Sequence, residues 1–241
     1  MKNTSFIAAS LSLGFALVNS LSGATSIWRA ESGVLPTAAT PPWEFYSEPT
    51  STVDLSPDFL RLETSPSFSR ATYFQEYNAL SIPADFVIEA RVRYVSGSST
   101  TPARAAAGIS FFTEKGIANW LWIGDDEIFV NSGARFQKGA SAAVDTNDAF
   151  HDYRIEFHGT SIGSTFDVFY DGAFKLSGTL FMDDEDQQPE LGWGDLAYEA
   201  SGISEWQSFS HNGAIPEPRC SGLIAAAGTL LLSFGPRFRR A

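Results

Sequence analysis

The acidic side chains are the first candidates for chemistry in this sequence, and they form two contiguous runs. One run is Asp125-Asp126-Glu127, and the other covers 183–186. Two carboxylates that cleave a glycosidic bond must converge on it, one as the general acid and the other as the nucleophile or base. Neighbouring residues of a strand point to opposite faces, so contiguous acids diverge. The spacing therefore predicts no paired-carboxylate site and no catalytic residue in either run.

The same acids could instead bind calcium, which takes oxygen ligands from carboxylates and carbonyls. Asp125 and Asp126 are the candidate ligands of a structural calcium ion. They could equally belong to a solvated turn that keeps the protein soluble, because contiguous acids lack the alternating spacing of a calcium loop such as the EF-hand. The sequence leaves open whether the protein binds structural calcium or no cofactor at all.

Tryptophans are the second set of candidates, because indole rings stack on the apolar faces of sugars. Trp120 and Trp122 alternate with Leu121 and Ile123, so both indoles should project from one face of a strand. We favour a core position for them, because buried aromatic stripes are common in β-sandwiches. Trp193 lies between two glycines and is expected on a loop, where it would be better exposed for binding.

Two other common kinds of site, a histidine metal site and a serine-nucleophile site, have no support in the sequence. The three histidines, His151, His158 and His211, lack metal-ligand spacing, and no Gly-x-Ser-x-Gly elbow occurs. The part of the chain between the two terminal segments discussed below carries 27 acidic and 11 basic residues, a net charge of −16. Such a surface repels phosphate backbones, so we expect no nucleic-acid partner. The single cysteine, Cys220, excludes an internal disulfide.

The elements that would carry these residues are strands. In the run 86–94, Glu89, Arg91 and Arg93 alternate with apolar residues, as in a half-buried strand. Asp171-Gly172 is a hairpin turn signal. We expect strands over 59–64, 70–76, 86–94, 106–113, 118–123, 127–131, 153–158, 166–171, 173–176 and 204–211. We expect surface loops over 96–103 and 139–148. About eleven short strands without βαβ alternation indicate an antiparallel sandwich.

Several of these segments occur in a familiar order. They are 28–43, 86–94, 151–155, 167–172, 192–194 and 202–206, which include Pro41-Pro42-Trp43 and Gly192-Trp193-Gly194. This order resembles the concanavalin A-like lectin and glucanase superfamily, in its laminin-G-like branch. The resemblance implies an all-β, antiparallel two-sheet jelly-roll sandwich with a curved inner sheet where related lectins hold sugars. Glucanases of this superfamily carry a Glu-x-Asp-x-x-Glu strand, and no such spacing occurs here, which disfavours that hydrolysis.

The N-terminal segment has the pattern of a secretory signal peptide. Lys2 gives a positive start, 6–18 is an uncharged apolar run, and Ser22-Gly23-Ala24 supplies small residues for cleavage. We expect a signal peptide over 1–24, with cleavage after Ala24, so that the mature chain begins near Thr25.

The C-terminal segment has three parts in a fixed order. A proline-flanked glutamate, Pro216-Glu217-Pro218 within 215–218, precedes an apolar segment over 222–236 and a basic end over 237–241. Each proline favours an extended backbone, which suits a protease cleft. The apolar segment is shorter than a stable membrane anchor, and the arginines would stay on the cytoplasmic side. This order resembles the PEP-CTERM sorting signal of Gram-negative bacteria, which implies cleavage by a membrane-embedded exosortase.

These observations predict a signal peptide over 1–24, a sandwich over 25–212 and a sorting signal over 213–241. The expected function is that of an exported, non-catalytic protein of the cell surface, outer envelope or extracellular matrix. Its expected partners are the exosortase, extracellular polysaccharide and, before processing, the membrane through a short transmembrane sorting helix. Two alternatives remain, because one sandwich hosts many functions: a glycan hydrolase or lyase with an atypical site, and a purely structural matrix protein.

Overall fold

The structure is a computed structural model that describes residues 24–65, 69–76, 82–83, 85–134 and 137–215. These residues form sixteen strands and two short 3-10 helices, Ala30–Ser32 and Pro36–Ala38. The first eight strands are β1 Ala24–Arg29, β2 Glu44–Ser47, β3 Thr52–Leu55, β4 Leu60–Glu63, β5 Ala71–Glu76, β6 Val87–Ser99, β7 Ala107–Glu114 and β8 Ile117–Ile123. The other eight are β9 Glu127–Asn131, β10 Lys138–Ala143, β11 His151–Phe157, β12 Thr165–Tyr170, β13 Ala173–Thr179, β14 Phe181–Met182, β15 Glu190–Asp195 and β16 Ala200–Ile215.

The strands form two eight-stranded sheets. Sheet A has the order β13-β12-β11-β6-β16-β4-β3, with β1 also paired to β16. Sheet B has the order β10-β9-β8-β7-β15-β5-β2, with β14 also paired to β8. Every pairing is antiparallel. The predicted all-β, two-sheet antiparallel sandwich is confirmed, and its arrangement is consistent with a jelly roll.

Alternation of side chains brings large aromatic rings from both sheets together in the core. Trp193 on β15 packs parallel to Phe209 on β16, with centroids 5.3 Å apart and planes at 9°. Around Trp193 lie further rings, all with centroids within 6 Å: Trp28, Trp43, Tyr73 and Trp206. Edge-to-face contacts join Phe111 of sheet B to Phe157 and Phe166 of sheet A. The high aromatic content therefore fills the space between the sheets.

The structure corrects several predicted boundaries. Residues 138–143, part of the predicted loop 139–148, form the edge strand β10, whose small residues give no apolar alternation. β6 continues through Ser99, into the predicted loop 96–103, because β16 pairs with it there. β16 itself runs to Ile215, beyond the predicted domain end at residue 212. Strands β1, β2 and β3 were not predicted. β2 and β3 have only four residues each, and none of those residues is fully buried.

The largest correction concerns Trp193, which was expected on a loop and lies in the central strand β15, 0% exposed. Its two flanking glycines are required by close packing within the sheet, not by a turn. A Cβ on Gly192 would meet the Ser110 Oγ at 2.6 Å, and a Cβ on Gly194, at φ +118°, would meet the Ala71 carbonyl oxygen at 2.4 Å. Trp193 is therefore a core residue and cannot contact a ligand.

The predicted terminal signals fall largely outside the described residues. Residues 1–23 and 216–241, which include Pro216, Glu217 and Pro218, lie beyond the described range. Ala24, the predicted cleavage position, begins β1 and pairs with Ile215 at the end of β16. Among the residues that the structure does describe, no helix has the length and hydropathy needed to cross a bilayer.

His211 joins the two sheets inside the core. Its Nε2 lies 3.0 Å from the Oε1 of Gln75 on β5, and the Gln75 Nε2 donates in turn to the Pro42 carbonyl at 3.1 Å. The residue is 2% exposed, and burial lowers its pKa to about 4. The neutral imidazole is therefore the form that fits this position.

We expect His211 to make the protein less stable in acid. Its pKa is depressed in the folded state, so its contribution to stability is complete above the unfolded pKa of about 6.5 and is lost as the pH falls toward 4. Urea unfolding from pH 7 to pH 4 should show a loss of about 3 kcal/mol that is absent in His211→Gln. His158→Gln, at a histidine paired with Asp167 on the surface, serves as the control and should keep the loss. An unchanged pH dependence in His211→Gln would contradict the assignment.

Candidate functional site

The outer face of sheet B, the face turned away from sheet A, carries a groove lined by aromatic rings. Residues that alternate with the core set of β5, β7 and β8 point to this face. Tyr73, Phe111 and Leu121 enter the core, so Phe74, Phe112 and Trp120 lie on the opposite side. The pleat of the hairpin β7–β8 and of the more distant strand β5 thus gathers the three rings on one surface.

Strand register gives this groove a floor of small residues. Trp120 on β8 pairs with Ser110 on β7, Ser110 pairs with Gly192 on β15, and Gly192 pairs with Phe74 on β5. Across these four neighbouring strands, the residues of the row are therefore large, small, small and large in turn. The two small residues leave a depression between the Trp120 and Phe74 rings.

The depression is one part of a larger groove, which we call the aromatic groove. It encloses about 350 Å³. Its aromatic residues are Tyr46, Phe74, Phe112, Trp120 and Tyr198. Its other lining residues are Arg70, Thr72, Arg104, Ser110, Gln187, Glu190, Leu196 and Glu199. Apolar faces and a few hydrogen-bonding groups converge there, as is common in small-molecule sites.

One end of the aromatic groove is formed by an arginine held between two tyrosine rings. The Arg70 guanidinium carbon lies 4.0 Å from the Tyr198 ring centroid and 4.8 Å from that of Tyr46. Arg70 Nη2 donates to the Tyr198 hydroxyl at 2.6 Å, and that hydroxyl donates to Glu48 at 3.2 Å. Tyr46 also donates to Glu48, and this hydrogen bond raises its pKa above the ordinary value. These contacts fix both rings although each remains more than a third exposed.

A second arginine lines the groove beside Trp122. Arg104 is 9% exposed, and its guanidinium carbon lies 5.3 Å from the Trp122 ring. It also lines a neighbouring depression of about 740 Å³ between residues 97–105, which cover the end of β6 and the segment after it, and the turn that joins β8 to β9. Arg104 therefore separates two concave regions on this side of the molecule.

The two tryptophans of β8 have different positions. Both project from one face of the strand, and this face is the outer face of sheet B instead of the favoured core side. Trp122 is nevertheless 0% exposed and donates to the Asn131 Oδ1 at 2.7 Å. This corrects its assignment as a ligand-binding residue, since a fully covered ring cannot stack on a sugar. Trp120 is 6% exposed and lines the groove, in contact with Phe112 and Phe181.

Asp125 and Asp126 lie on the exposed turn between β8 and β9. The Asp125 carboxylate accepts from Asn147 at 2.9 Å, and its carbonyl accepts from Thr146 at 2.7 Å. The neighbouring Glu127 pairs with Lys138 at 2.5 Å. Within the described ranges, no three or more His, Cys, Asp or Glu side chains are grouped so that they could hold a metal ion. Any ion at this turn would need backbone carbonyls and water for most of its ligands.

His151 forms a separate polar cluster on sheet A. Its Nδ1 lies 2.7 Å from Asp171, its Nε2 lies 2.7 Å from Asp148, and its ring stacks on Tyr170. Burial by itself would lower the pKa of His151. The hydrogen bonds to the two carboxylates have the larger combined effect, so the pKa is raised above its ordinary value. Because both nitrogens are used, the cluster joins the loop before β11 to the β12–β13 turn and has a structural role.

Most groove residues were not singled out from the sequence. Phe74 and Phe112 lie in predicted strands, but their side of the sheet could not be assigned because both faces of sheet B carry apolar residues. Tyr46 lies on an unpredicted edge strand, and Tyr198 on the turn after β15. One sequence pattern could have indicated the groove: in 71–76 the side chains of Thr72 and Phe74 point to the face of the strand opposite to that of Tyr73.

Comparisons with known proteins give a likeness of fold. No family model matches the sequence, and no curated protein matches it. Among solved structures, the metal-free carbohydrate recognition domain of Emp46p is 13% identical, with a TM-score of 0.48 over 79% of this chain and 97% of that chain. The Bacillus licheniformis β-glucanase is 13% identical, with a TM-score of 0.47 over 78% and 98% of the two chains. The endo-β-1,4-glucuronan lyase of the fungus Trichoderma reesei is 12% identical, with a TM-score of 0.47 over 70% and 89%. This likeness is too distant to carry an argument about function, which has to come from the chain's own residues.

Proposed function

We propose that this protein is an exported, non-catalytic β-sandwich that binds extracellular polysaccharide through the aromatic groove. The observation that carries the proposal is the make-up of the groove: its walls are aromatic rings, its floor consists of small residues, and its rim carries polar side chains. Sugar rings have apolar C–H faces that pack on Trp120, Phe74 or Tyr198, while their hydroxyls need partners such as Gln187 and Glu190. The groove is open, which suits a segment of a long chain.

A glycan array with the 24–215 fragment, which contains every described strand, tests the proposal. The array should include polysaccharide from the producing cell. Retention of one or more polysaccharides is expected. Absence of any retention would remove the binding role and leave the structural matrix alternative. Released reducing ends or unsaturated sugars from the same panel would instead favour the hydrolase or lyase alternative.

Tyr198→Ala should weaken polysaccharide binding by roughly 10-fold or more, or about 1.4 kcal/mol. The substitution removes one aromatic wall and the ring that packs on Arg70, so both stacking area and the position of the guanidinium are lost. Isothermal calorimetry with the polysaccharide found on the array measures the effect. Phe174→Ala is the matched control, because Phe174 is 56% exposed on the edge strand β13 of sheet A. Equal affinity of the two variants would place the binding surface elsewhere.

Structural calcium at Asp125 and Asp126 remains a prediction. The turn offers two exposed carboxylates beside backbone carbonyls, which are oxygen ligands suited to calcium. If the ion binds, calorimetry should show a melting temperature that rises with added calcium and falls with a chelator, and Asp125→Asn with Asp126→Asn should abolish the difference. Identical melting temperatures in calcium and in chelator would rule out a structural ion.

We infer the route to the cell surface from the two terminal segments. The signal peptide would be removed after Ala24, and an exosortase would process the chain near Pro216-Glu217-Pro218 after the short sorting helix has held it at the membrane. Mass spectrometry of the protein recovered from the cell surface should find a chain that begins near Thr25 and lacks Arg240. Surface protein that retains both ends would contradict this route.

A further inference from the structure

The turn between β15 and β16 forms one wall of the aromatic groove. Three residues of this turn, Leu196, Tyr198 and Glu199, line the groove. The turn is short, and Tyr198 contributes the ring that packs on Arg70. The shape of this part of the groove therefore depends on what holds the turn in place.

Asp195, the last residue of β15, makes the contacts that hold it. Its Oδ1 accepts from the Ala197 N–H at 3.2 Å, and its carbonyl oxygen accepts from the Thr72 hydroxyl at 2.7 Å. Its Oδ2 is hydrogen-bonded to the Thr64 hydroxyl, which also accepts from the Gly202 N–H at 3.1 Å. Asp195 thus connects the turn to β5 and β16 and to the end of β4.

We propose that Asp195 is a positioning residue for the groove, whose buried, hydrogen-bonded carboxyl group fixes the 196–199 turn and with it the Tyr198 ring. For the ligand, this inference rests on the proposed polysaccharide binding. The residue is 2% exposed and lies between the sheets, where an ionised carboxylate would be poorly solvated. A neutral carboxyl can keep its hydrogen bonds to Thr64 and Ala197 without that cost.

The electrostatic surroundings support a neutral form at pH 7. Burial raises the pKa of Asp195 to about 8, against the opposing effects of Thr64, the Ala197 N–H and Arg70, the residue just before β5. Tyr94 on β6 also interacts with Asp195, and its pKa is itself raised to about 12 by burial and by the nearby acids Asp125 and Asp195. Because the folded pKa is raised, the stabilising effect of this proton is complete below about pH 4 and is lost as the pH rises toward 8.

Above pH 8 we expect the turn to open so that water can reach the ionised carboxylate. Hydrogen exchange at the Ala197 amide, corrected for the intrinsic rate at each pH, measures this opening in the full chain. Wild-type exchange should be about 10-fold faster at pH 9 than at pH 7, because the ionised fraction of a group with a pKa near 8 rises by about that factor. Asp195→Asn, which keeps a neutral group of the same shape, should remove the pH dependence, and Asp195→Ala should exchange quickly at both values. If Asp195→Ala does not fold, Thr64→Val removes a hydrogen-bond partner instead and should also speed exchange.

Asp58→Ala, at an exposed acid on the β3–β4 turn, is the control and should behave as wild type. Wild-type protection that is equal at pH 7 and pH 9, or Asp195→Ala protection equal to wild type, would overturn the inference. The same variants are then titrated with the polysaccharide found on the array. If exchange at Ala197 depends on pH and on Asp195 as expected but the protein binds no glycan, the positioning role is supported and the binding function is refuted. Glycan binding that is equally tight in Asp195→Ala, with unchanged exchange, refutes the positioning role and leaves the binding function intact.

Discussion

Replacing Trp193 with alanine should lower the free energy of unfolding by about 4 kcal/mol, the largest loss expected from a single core substitution here. The indole is fully buried at the centre of sheet B and contacts rings from both sheets. Alanine would leave a cavity in a rigid aromatic cluster that cannot collapse around it, so the loss of burial and the cavity add together. Urea denaturation followed by fluorescence of the other tryptophans measures the change.

Trp193→Phe separates packing from hydrogen bonding. Among the described residues, the Trp193 indole N–H has no hydrogen-bond partner, so phenylalanine loses volume but no bond. It should cost clearly less than alanine. Phe174→Ala, at an exposed ring, should change stability by no more than about 0.5 kcal/mol. A loss below 1 kcal/mol in Trp193→Ala would show that this cluster does not hold the sheets together.

Replacing Arg93 with alanine should cost about 3 kcal/mol, because it removes the main partner of a buried carboxylate. Glu205 on β16 is 2% exposed although it lies on the outer face of sheet A. Arg93 on β6 donates to Glu205 at 2.5 and 3.0 Å, and Arg61 on β4 donates from the other side at 3.2 Å. The Arg93 guanidinium carbon also lies 5.1 Å from the Phe150 ring, which helps to exclude water.

Arg91→Ala is the matched control for Arg93→Ala. Arg91 lies on the same strand and face, but its acidic partner Asp152 is well exposed, so its loss should cost less than about 1 kcal/mol. Adding Glu205→Gln to Arg93→Ala should recover part of the stability, because the unpaired charge is then gone. If Arg91→Ala and Arg93→Ala are equally destabilising, burial of Glu205 is not the cause. Guanidinium chloride would screen the ion pairs, so urea is the appropriate denaturant.

Several interior strands were predictable because they are short runs rich in apolar residues and bounded by turn residues. β9 matches the predicted range 127–131, and β5, β7, β8 and β11 differ from their predicted ranges by one or two residues. β15 was missed because Gly192-Trp193-Gly194 has the composition of a turn. Only the approach of β5 and β7 on its two sides shows why those glycines belong in a strand.

The groove was less predictable than the fold. Trp120 was a candidate from its type and spacing, but its partners Phe74 and Tyr198 carry no local signal that separates a ligand contact from a core position. The acidic runs, which stand out in the sequence, lie mostly on exposed turns, and only Glu127 belongs to a strand. The buried Asp195 and Glu205, which have structural roles, belong to no motif in the sequence, and only the packing of other residues around them sets them apart.

The sequence alone determined that this chain forms strands and an antiparallel sandwich, since a period of two and turn residues act over a few neighbours at a time. Only the tertiary structure decided which aromatic residues line the groove and which fill the core. That choice depends on strand register and on the sheet face, and these bring residues 46, 74, 112, 120 and 198 together from distant parts of the chain. Burial of a side chain is a property of everything that packs around it, so it cannot be assigned from the residue and its neighbours in sequence.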